Sequence, residues 1–274
     1  MYIDLHMHST TSDGTVAAKD LPAACRAAGI THAVLTDHDT IGGVKSFLAA
    51  AKKKKVTAIS GVEFSAEWEG ELHLLAYGVD VENHDLKNTL LRLAKIRENR
   101  VFEMIKKLQH AGYQVTAEEV THFAQGEVIG RPHIAQALVQ KEYARDLNEA
   151  FRRFLVAGAV GFVPRESLQK EEIMKLAEKA GGQVVLAHPK LVFAEDYDAL
   201  LQMLKALGLQ GIEAYYPEHS DAECAYFHAL AKKYKLFVTQ GSDFHGGMRA
   251  GTFLGKERRG QAYMEEAIER LFTN

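Results

Sequence analysis

Length, composition and charge limit what this chain can be. Its 274 residues are 47% hydrophobic and 25% charged, which is enough apolar material for a core and excludes a disordered chain. The formal net charge of −3 excludes a generic basic nucleic-acid binder, so long DNA is not an expected partner. Thirteen histidines against two cysteines exclude a disulfide framework and make the positions of the histidines the informative feature.

The first part of the chain alternates short apolar runs with amphipathic ones. This rhythm predicts a parallel β-sheet covered by helices. Neither a signal peptide nor an apolar stretch of membrane-spanning length is visible, so we expect a cytoplasmic protein without membrane contact. The predicted strands cover residues 2–5, 33–36, 56–60 and 72–77, and the predicted helices cover residues 17–28 and 43–54.

The middle of the chain has a different, helical pattern. Apolar residues such as Leu90, Val101 and Ile105 recur on one helical face, and Gly112 is placed to end that helix. We interpret residues 85–164 as a helical insertion that serves as a substrate lid. The alternating pattern then returns, so residues 1–84 and 165–274 are expected to form one barrel-like α/β domain. In its second part, strands are predicted at 184–186, 211–214 and 236–239, and helices at 170–180, 197–207 and 222–233.

Histidines and carboxylates lie on the predicted strands or just beyond their ends. His6 and His8 follow the first strand, and His188 follows the strand at 184–186. In barrel folds the carboxyl ends of the strands converge on one face, so these side chains should meet there. Burying so many polar groups without a compensating ion would be costly. We assign nine residues both to metal binding and to catalysis: His6, His8, Asp13, His38, Glu63, His73, His188, Asp243 and His245.

This set of side chains predicts a multi-metal site. Nine ligands are too many for one ion, because a catalytic zinc usually takes three protein ligands and a water, so two or three divalent ions are expected. Mixed imidazole and carboxylate ligands suit manganese, iron or zinc, and we take manganese as the expected metal. Clustered ions clamp a phosphoryl group and lower the pKa of a bound water towards about 7. We therefore expect hydrolysis of phosphate esters by a metal-bound hydroxide.

Four short motifs then place the chain near a known family. They are His6-Met7-His8-Ser9 with Ser12-Asp13-Gly14, Thr36-Asp37-His38-Asp39, Ala187-His188-Pro189 and Ser242-Asp243-Phe244-His245. With Glu63 and His73 between them, the chain resembles the polymerase and histidinol phosphatase (PHP) family over residues 1–84 and 165–274. The resemblance implies a distorted (β/α)7 barrel that carries three metals. It also implies their ligands: His6, His8, Glu63 and Asp243 for one metal, Glu63, His73 and His188 for another, and Asp13, His38 and His245 for the third.

Further segments resemble a stand-alone branch of the family with a helical insertion. They are Gly130-Arg131-Pro132-His133-Ile134-Ala135, Ala150-Phe151, Phe162-Val163-Pro164 and Tyr215-Tyr216-Pro217-Glu218-His219-Ser220. The branch is implied to hydrolyse nucleoside 3′,5′-bisphosphates or to remove nucleotides from the 5′ ends of short RNA. Both substrates carry a 5′-phosphate that needs a cationic anchor, and guanidinium groups bind phosphate oxygens in pairs. Arg131 is the first candidate for this role, and His133, His219 and Arg165 are further candidate substrate contacts.

Three alternatives to this function remain open from the sequence. The first is a phosphatase for sugar phosphates or histidinol phosphate, which the helical lid and Tyr215 and Tyr216 argue against only weakly. The second is an amidohydrolase, but such enzymes commonly lack Asp13 and the Thr36–Asp39 motif. The third is a non-catalytic PHP module, since a fold does not by itself imply an activity. No obligate protein partner is visible in the sequence.

Overall fold

The computed structural model describes residues 2–124, 129–248 and 251–273, which form a mixed α/β fold with two sheets. The first sheet is parallel and has the order β1 (Tyr2–Asp4), β2 (Ile30–Val34), β3 (Thr57–Ile59). The second sheet has five strands, in which β5 pairs antiparallel with both of its neighbours and the other pairings are parallel. Its order is β4 (Gly61–Ala66), β5 (Leu72–Tyr77), β6 (Gln183–Leu186), β7 (Gly211–Tyr215) and β8 (Phe237–Gln240).

Helices surround the sheets and fill the middle of the chain. In the parts flanking that middle, α1 (Leu21–Ala27), α2 (Val44–Lys54), α7 (Lys170–Lys179), α8 (Tyr197–Ala206), α9 (Asp221–Tyr234) and α10 (Glu265–Phe272) are helical. The middle holds α3 (His84–His110), α4 (Ala117–Phe123), α5 (Arg131–Gln140), α6 (Leu147–Ala150) and a π-helical turn at Phe151–Leu155. Single 3₁₀ turns occur at Pro189–Val192, Gly246–Met248 and Gln261–Tyr263. No helix among the described residues combines the length and the apolar character needed to cross a membrane.

The predicted (β/α)7 barrel is not confirmed, because the described strands form two sheets and do not close into one barrel. The sheets approach each other through backbone hydrogen bonds at and beyond the strand ends, such as the one from the N–H of Leu5 to the carbonyl of Gln240 at 3.1 Å. Met7 forms a single bridge with Phe244, and His38 forms one with Glu63. Regular pairing stops there because the chain leaves the strands to form the loops that carry the predicted ligands.

The predicted elements overlap the observed ones, with the largest departures in the first part of the chain. The strand predicted at 33–36 is observed at Ile30–Val34, and the helix predicted from residue 17 begins at Leu21. The strand predicted at 56–60 is shorter, and a separate strand, β4, begins directly after it. Glu63 therefore lies within β4 and not after a strand, as the sequence analysis had placed it. The antiparallel position of β5 also departs from the all-parallel expectation, since a short connection between β4 and β5 reverses the chain direction.

Buried apolar side chains form three clusters. The largest covers the five-stranded sheet, and a second lies between the three-stranded sheet and α1 and α2. The third is built within the helical middle from residues such as Met104, Leu138 and Phe154. The middle of the chain thus has apolar packing of its own, while the sheets hold the loops that carry the predicted ligands.

Candidate metal centre

The extension of β1 carries two buried histidines to the centre of the candidate site. His6 and His8 are fully buried, and their Nε2 atoms lie 3.2 Å apart. Each Nε2 atom also lies 3.2–3.4 Å from one carboxylate oxygen of Glu63 and one of Asp243. Residues separated by one position in an extended segment project to the same side, which brings both rings to the same two carboxylates.

Glu63 connects this group to a second one. Its Oε1 atom lies 2.9 Å from Nδ1 of His73 and 3.1 Å from Nε2 of His188. These two imidazole nitrogens are 3.3 Å apart. The three side chains come together because β4, β5 and β6 are neighbours in the five-stranded sheet. One carboxylate thus faces both groups, as a bridging ligand would.

A third group lies nearer to solvent. Oδ1 of Asp13 lies 3.4 Å from Nε2 of His245, and its Oδ2 lies 3.8 Å from Nε2 of His38. The ring of His8 stacks on that of His245 with 4.0 Å between centroids, which joins this group to the first. The side chains of Asp13, His38 and His245 are 11–14% exposed, so this group is the accessible end of the site.

The arrangement fits cations better than a hydrogen-bond network. Three imidazole nitrogens, from His6, His8 and His38, lie 2.9–3.3 Å from Oε2 of Glu63. Within the described part of the chain, that buried oxygen accepts no hydrogen bond, and the buried Nδ1 atoms of His8 and His188 have no hydrogen-bond partner either. Burying a polar atom without a hydrogen-bond partner costs free energy. A metal ion bound by several of these lone pairs would remove that cost. Candidate ligand atoms lie within 4.8 Å of one another in four overlapping sets: His8, Asp13, His38 and His245; His6, His8 and Asp243; His6, Glu63 and His188; and His38, Glu63 and His73. The clusters therefore fit divalent metals.

The electrostatics of the site ionise its carboxylates but divide its histidines. Burial lowers the ring pKa of His6 and of His8, but nearby carboxylates outweigh burial and raise the pKa well above the usual range for His6 and to about 10 for His8. Burial favours the neutral form of Glu63, but the imidazoles of His38 and His6 outweigh it and hold the pKa of this carboxyl well below its usual range. Burial likewise opposes ionisation of Asp13, and His245 holds the pKa of that carboxyl well below its usual range. For His38 burial dominates and lowers the ring pKa to about 4. Ionised carboxylates and neutral imidazoles are the protonation states that metal binding requires.

Glu213 is a buried carboxylate that the sequence analysis did not assign. It lies in β7 and is fully buried, and its oxygens lie 3.1 and 3.2 Å from Nδ1 of His6. It also accepts the backbone N–H of His188 at 2.8 Å. A Cβ atom at Gly241 would collide with this carboxylate and with His6, so the close approach requires glycine. A carboxylate on the far nitrogen of a ligating histidine fixes the orientation and tautomer of the ring. The signal in the sequence was a lone charged residue inside the apolar strand β7.

Asp37 and Asp39, which flank His38 in the second motif, bind serine and arginine groups. Asp37 accepts hydrogen bonds from the hydroxyls of Ser9 and Ser12, both at 2.6 Å, and from the backbone N–H of Ser9 at 2.7 Å. It therefore braces the loop that carries Asp13. Asp39 accepts the backbone N–H of Ser65 at 3.0 Å, and its other oxygen binds the guanidinium groups of Arg97 and Arg165.

Three of the seven described non-glycine residues with positive φ lie at this site. Asp39, His188 and Asp243 have positive φ angles of 51°, 23° and 49°, which residues other than glycine rarely adopt. Such conformations cost of order 1–3 kcal/mol each and persist where surrounding contacts impose them. At Asp243 one such contact is the backbone N–H, which donates to the carbonyl of His6 at 2.9 Å. Two of the three residues, His188 and Asp243, are predicted metal ligands, and strained conformations of this kind cluster at functional sites.

A cavity of about 320 Å³ opens over the metal-binding side chains. Seven of the nine predicted ligands line it, whereas His6 and His8 lie behind them. Arg131 and Arg165, two predicted substrate contacts, also line it, together with Arg97 and Arg100, which the sequence analysis did not identify. The structure thus brings a cationic wall to the same cavity as the predicted ligands.

The four arginines are incompletely neutralised by carboxylates. Arg97 and Arg165 share Asp39, and Arg131 lies 3.3 Å from Glu71, while Arg100 donates to the carbonyl of Val163 at 2.9 Å. Burial, together with neighbouring guanidinium groups, lowers the pKa of both Arg100 and Arg165 to about 10. Four positive groups facing two carboxylates leave two positive charges at this wall. Such a wall suits an anionic ligand group.

A family model for the PHP domain matches residues 4–271, which include both sheets and the helices between them. The chain belongs to the PHP domain family. The resemblance found in the sequence motifs is therefore confirmed, and the match extends through the helical middle as well.

Individual PHP relatives give the chain its enzyme class. It is 31% identical to a 3′,5′-nucleoside bisphosphate phosphatase from Chromobacterium violaceum, over 92% of this chain and 90% of that protein. It is 33% identical to a 5′-3′ exoribonuclease from Haemophilus influenzae, over 88% of this chain and 89% of that protein. A solved structure from Bifidobacterium adolescentis, assigned as a metal-dependent phosphoesterase, superposes with a TM-score of 0.89 at 27% identity and covers 98% of this chain and 96% of that one. This PHP chain is accordingly a hydrolase.

The two remaining predicted substrate contacts of the PHP chain, His133 and His219, do not line the cavity. His133 is buried at the start of α5, where its Nδ1 accepts the backbone N–H of Gly130 at 3.0 Å. His219 is buried against the rings of Tyr216 and Phe227, and its Nδ1 donates to the carbonyl of Ala214 at 3.0 Å. Both rings serve local structure, and these contacts lend no support to a substrate role.

Proposed function

We propose that this protein is a metal-dependent phosphoesterase that removes the 3′-phosphate from nucleoside 3′,5′-bisphosphates. The observation that carries the proposal is the presence of four arginines on the wall of the cavity that holds the predicted metal ligands. A substrate with two separate phosphates presents one to each region. A phosphate monoester carries about −1.5 to −2 charges at pH 7, which matches the two uncompensated positive charges of the arginine wall.

The nine side chains named from the sequence would hold two or three divalent ions, with manganese as the expected metal. Ions at such a site neutralise phosphoryl oxygens and lower the pKa of bound water towards about 7. Glu63 faces the first two groups and would keep their ions close together. Glu213 holds the ring of His6, and Asp37 braces the loop of Asp13, so both keep ligands in place before substrate arrives.

The arginine wall orients the phosphate that is not cleaved. The Asp39 carboxylate fixes Arg97 and Arg165 in advance, while Arg100 and Arg131 complete the wall. A guanidinium group presents paired donors to phosphate oxygens, so several of them hold one phosphate in a defined position. Hydrolysis then breaks the bond between phosphorus and the 3′-oxygen and yields inorganic phosphate and a nucleoside 5′-phosphate.

The helical middle is proposed to supply this selectivity. Within residues 85–164, Arg97 and Arg100 come from α3 and Arg131 begins α5, and these helices pack with their neighbours around one buried apolar cluster. We propose that this segment is a separately packed unit that covers the metal centre as a lid. The barrel-like unit at residues 1–84 and 165–274 would carry the chemistry.

A second candidate is removal of nucleotides from the 5′ ends of short RNA. It is favoured by the relative from Haemophilus influenzae, which is named as an exoribonuclease. Its substrate also carries a terminal 5′-phosphate for the arginine wall. A substrate with a single phosphate, such as histidinol phosphate, would leave the arginine wall without a phosphate to bind. The substrate of an amidohydrolase would likewise offer no phosphate to this wall.

The test is a comparison of substrates with manganese-loaded protein. Adenosine 3′,5′-bisphosphate should be hydrolysed with a higher kcat/KM than adenosine 3′-monophosphate, histidinol phosphate or short 5′-phosphorylated RNA. Arg131→Ala should lower kcat/KM for the bisphosphate by roughly 10- to 100-fold, because a charge-assisted contact contributes about 1.5–3 kcal/mol, and it should affect the monophosphate little. The control is Arg152→Ala, whose exposed side chain lies outside the cavity lining. Equal turnover of the bisphosphate and the monophosphate would overturn the proposal.

A further inference from the structure

One part of the cavity wall is neither metal ligand nor arginine. Leu147, Asn148 and Phe151 line the cavity, and all three come from the short segment formed by α6 and the π-helical turn that follows it. Phe151 is the single aromatic ring, apart from the imidazoles, among the described residues that line this cavity, and Asn148 supplies the single carboxamide. This set is called the α6 wall below.

The local fold explains why the α6 wall faces the cavity. Asp146 caps the segment by accepting the backbone N–H of Glu149 at 2.8 Å. Ala150 and Phe154 are buried in the helical cluster and fix one side of the segment. Glu149 lies 2.9 Å from Arg145 and 3.2 Å from Arg153, so charged side chains occupy another side. The remaining side presents the α6 wall. Phe151 is four positions after Leu147 and three after Asn148, which places it beside both on the helix surface.

The switch to π-helical geometry occurs at Phe151 itself. A π turn places an extra residue in the helix, is rare and is found frequently at functional sites. Leu147 and Phe151 are only partly buried, and both pack against the helical cluster from its edge. The apolar surface that they leave towards the cavity has no partner among the other apolar clusters. A half-buried aromatic ring held on a fixed turn is the kind of surface on which a planar ligand packs.

The α6 wall lies next to the arginine wall. The guanidinium carbon of Arg131 lies 5.8 Å above the centre of the Phe151 ring, and the same side chain contacts Glu71. A ligand phosphate held by Arg131 therefore places whatever is attached to it within reach of Phe151. Within the cavity, the metal centre and the arginines suit phosphate groups. The α6 wall suits a flat apolar ring with polar atoms at its edge.

We propose that Leu147, Asn148 and Phe151 form a nucleobase subsite, in which the base packs on Phe151 and Leu147 and its polar edge meets the Asn148 carboxamide. This inference rests on the proposed function, since it takes the ligand to be a nucleotide. Base stacking on an aromatic side chain contributes roughly 1–3 kcal/mol, which corresponds to about 5- to 150-fold in affinity. The carboxamide offers both a donor and an acceptor, so it can distinguish one base edge from another.

The test measures binding separately from turnover. Dissociation constants of adenosine 5′-monophosphate and ribose 5-phosphate are measured by calorimetry with the metal-loaded full-length protein. The wild-type protein should bind the nucleotide about tenfold or more tightly than the sugar phosphate. Phe151→Leu should reduce that preference to about twofold while leaving the affinity for ribose 5-phosphate unchanged. Asn148→Ala should narrow the difference in affinity between adenosine, guanosine, cytidine and uridine 5′-monophosphates.

The control and the contrary results are equally direct. Phe253→Leu replaces an aromatic ring that is 58% exposed and lies outside the cavity lining, and it should leave the preference intact. An unchanged nucleotide preference in Phe151→Leu would overturn the nucleobase subsite. Equal losses for nucleotide and sugar phosphate would overturn it too, because Phe151 would then act only through Arg131. Failure of the wild-type protein to hydrolyse any bisphosphate would contradict the proposed function. The preference for nucleotide over sugar phosphate would still test the nucleobase subsite separately.

Discussion

The metal centre and the arginine wall share one cavity but are built in opposite ways. The side chains of the metal centre come from strands or the residues just after them, and they are buried, close together and braced by Glu213 and Asp37. The arginine wall comes mainly from the helical middle, and its long side chains are oriented chiefly by Asp39 and Glu71. From this difference we propose that the sheets fix the reaction chemistry, whereas the helical middle selects the substrate.

The largest effect should follow from breaking the metal centre. His8→Ala or Asp243→Asn removes a group that faces other candidate ligands within 3.4 Å, and turnover should be abolished. Bound manganese, measured by mass spectrometry after gel filtration, should fall in the same variants. His122→Ala is the matched control, because this histidine is exposed and lies far from the cavity lining, and it should retain wild-type activity. Full activity in His8→Ala would contradict the assignment of the ligands.

A smaller loss should follow when a ligand is kept but its support is removed. Glu213→Gln leaves His6 in place but weakens the contacts between its Nδ1 and the carboxylate. Loss of such a supporting partner typically costs 10- to 100-fold in metal affinity or activity. Manganese titrations of activity should therefore shift to higher concentration by about that factor, and saturating manganese should restore part of the rate.

The matched control for this prediction is Glu103→Gln, which removes an exposed carboxylate on α3 that pairs only with Lys106. It should leave the manganese titration unchanged. A Glu213→Gln protein with wild-type manganese dependence would show that the carboxylate has no part in holding His6.

A third prediction separates the two regions. Asp39→Asn keeps the shape of the side chain but removes the charge that Arg97 and Arg165 share. We expect KM for a nucleoside bisphosphate to rise roughly tenfold, as loss of a charge-assisted contact implies, with little change in kcat. The KM for a substrate with one phosphate, such as 4-nitrophenyl phosphate, should stay constant. A matching loss on both substrates would mean that Asp39 supports the metal centre instead.

The smallest effect is expected from the brace of the Asp13 loop. Ser12→Ala removes one of three hydrogen bonds to Asp37, while those from Ser9 remain. The two hydrogen bonds from Ser9 keep the Asp37 carboxylate in place, so activity should fall only about two- to tenfold, which corresponds to roughly 0.4–1.4 kcal/mol. Steady-state rates at saturating manganese measure this loss. A collapse of activity as deep as that of Asp243→Asn would show that the brace is as important as a ligand.

The sequence was sufficient to name nine side chains that the structure brings together, because its signals are local. The position of a histidine or carboxylate at the end of an apolar run can be read directly from the sequence. Parallel strands of one sheet end at the same edge, so such side chains are expected to meet. Glu63 was found although its strand was misplaced, since the third strand and β4 are separated by a single residue. Glu213 was missed because it lies inside β7 and not beyond its end, where the burial of a charge was itself the signal.

The sequence singled out only Arg131 and Arg165 of the four arginines in the cavity lining, and it could not show the way the sheets meet. Arg97 and Arg100 lie on a long helix among other charged residues, where any arginine fits a solvated face. Only the packing of α3 against the rest of the chain brings them to the cavity. The antiparallel position of β5 depends likewise on a partner strand, β6, that lies more than a hundred residues later in the chain. Long-range pairing of this kind leaves no local pattern.

The most direct test of the account is a crystal structure of the protein with manganese and adenosine 5′-monophosphate, recorded with anomalous scattering from the metal. The account predicts anomalous peaks among the nine ligand side chains around Glu63 and the 5′-phosphate within hydrogen-bond distance of Arg131 and at least one other cavity arginine. Manganese bound elsewhere, or a phosphate that contacts none of the four arginines, would contradict the division of the cavity into a metal centre and a separate phosphate anchor.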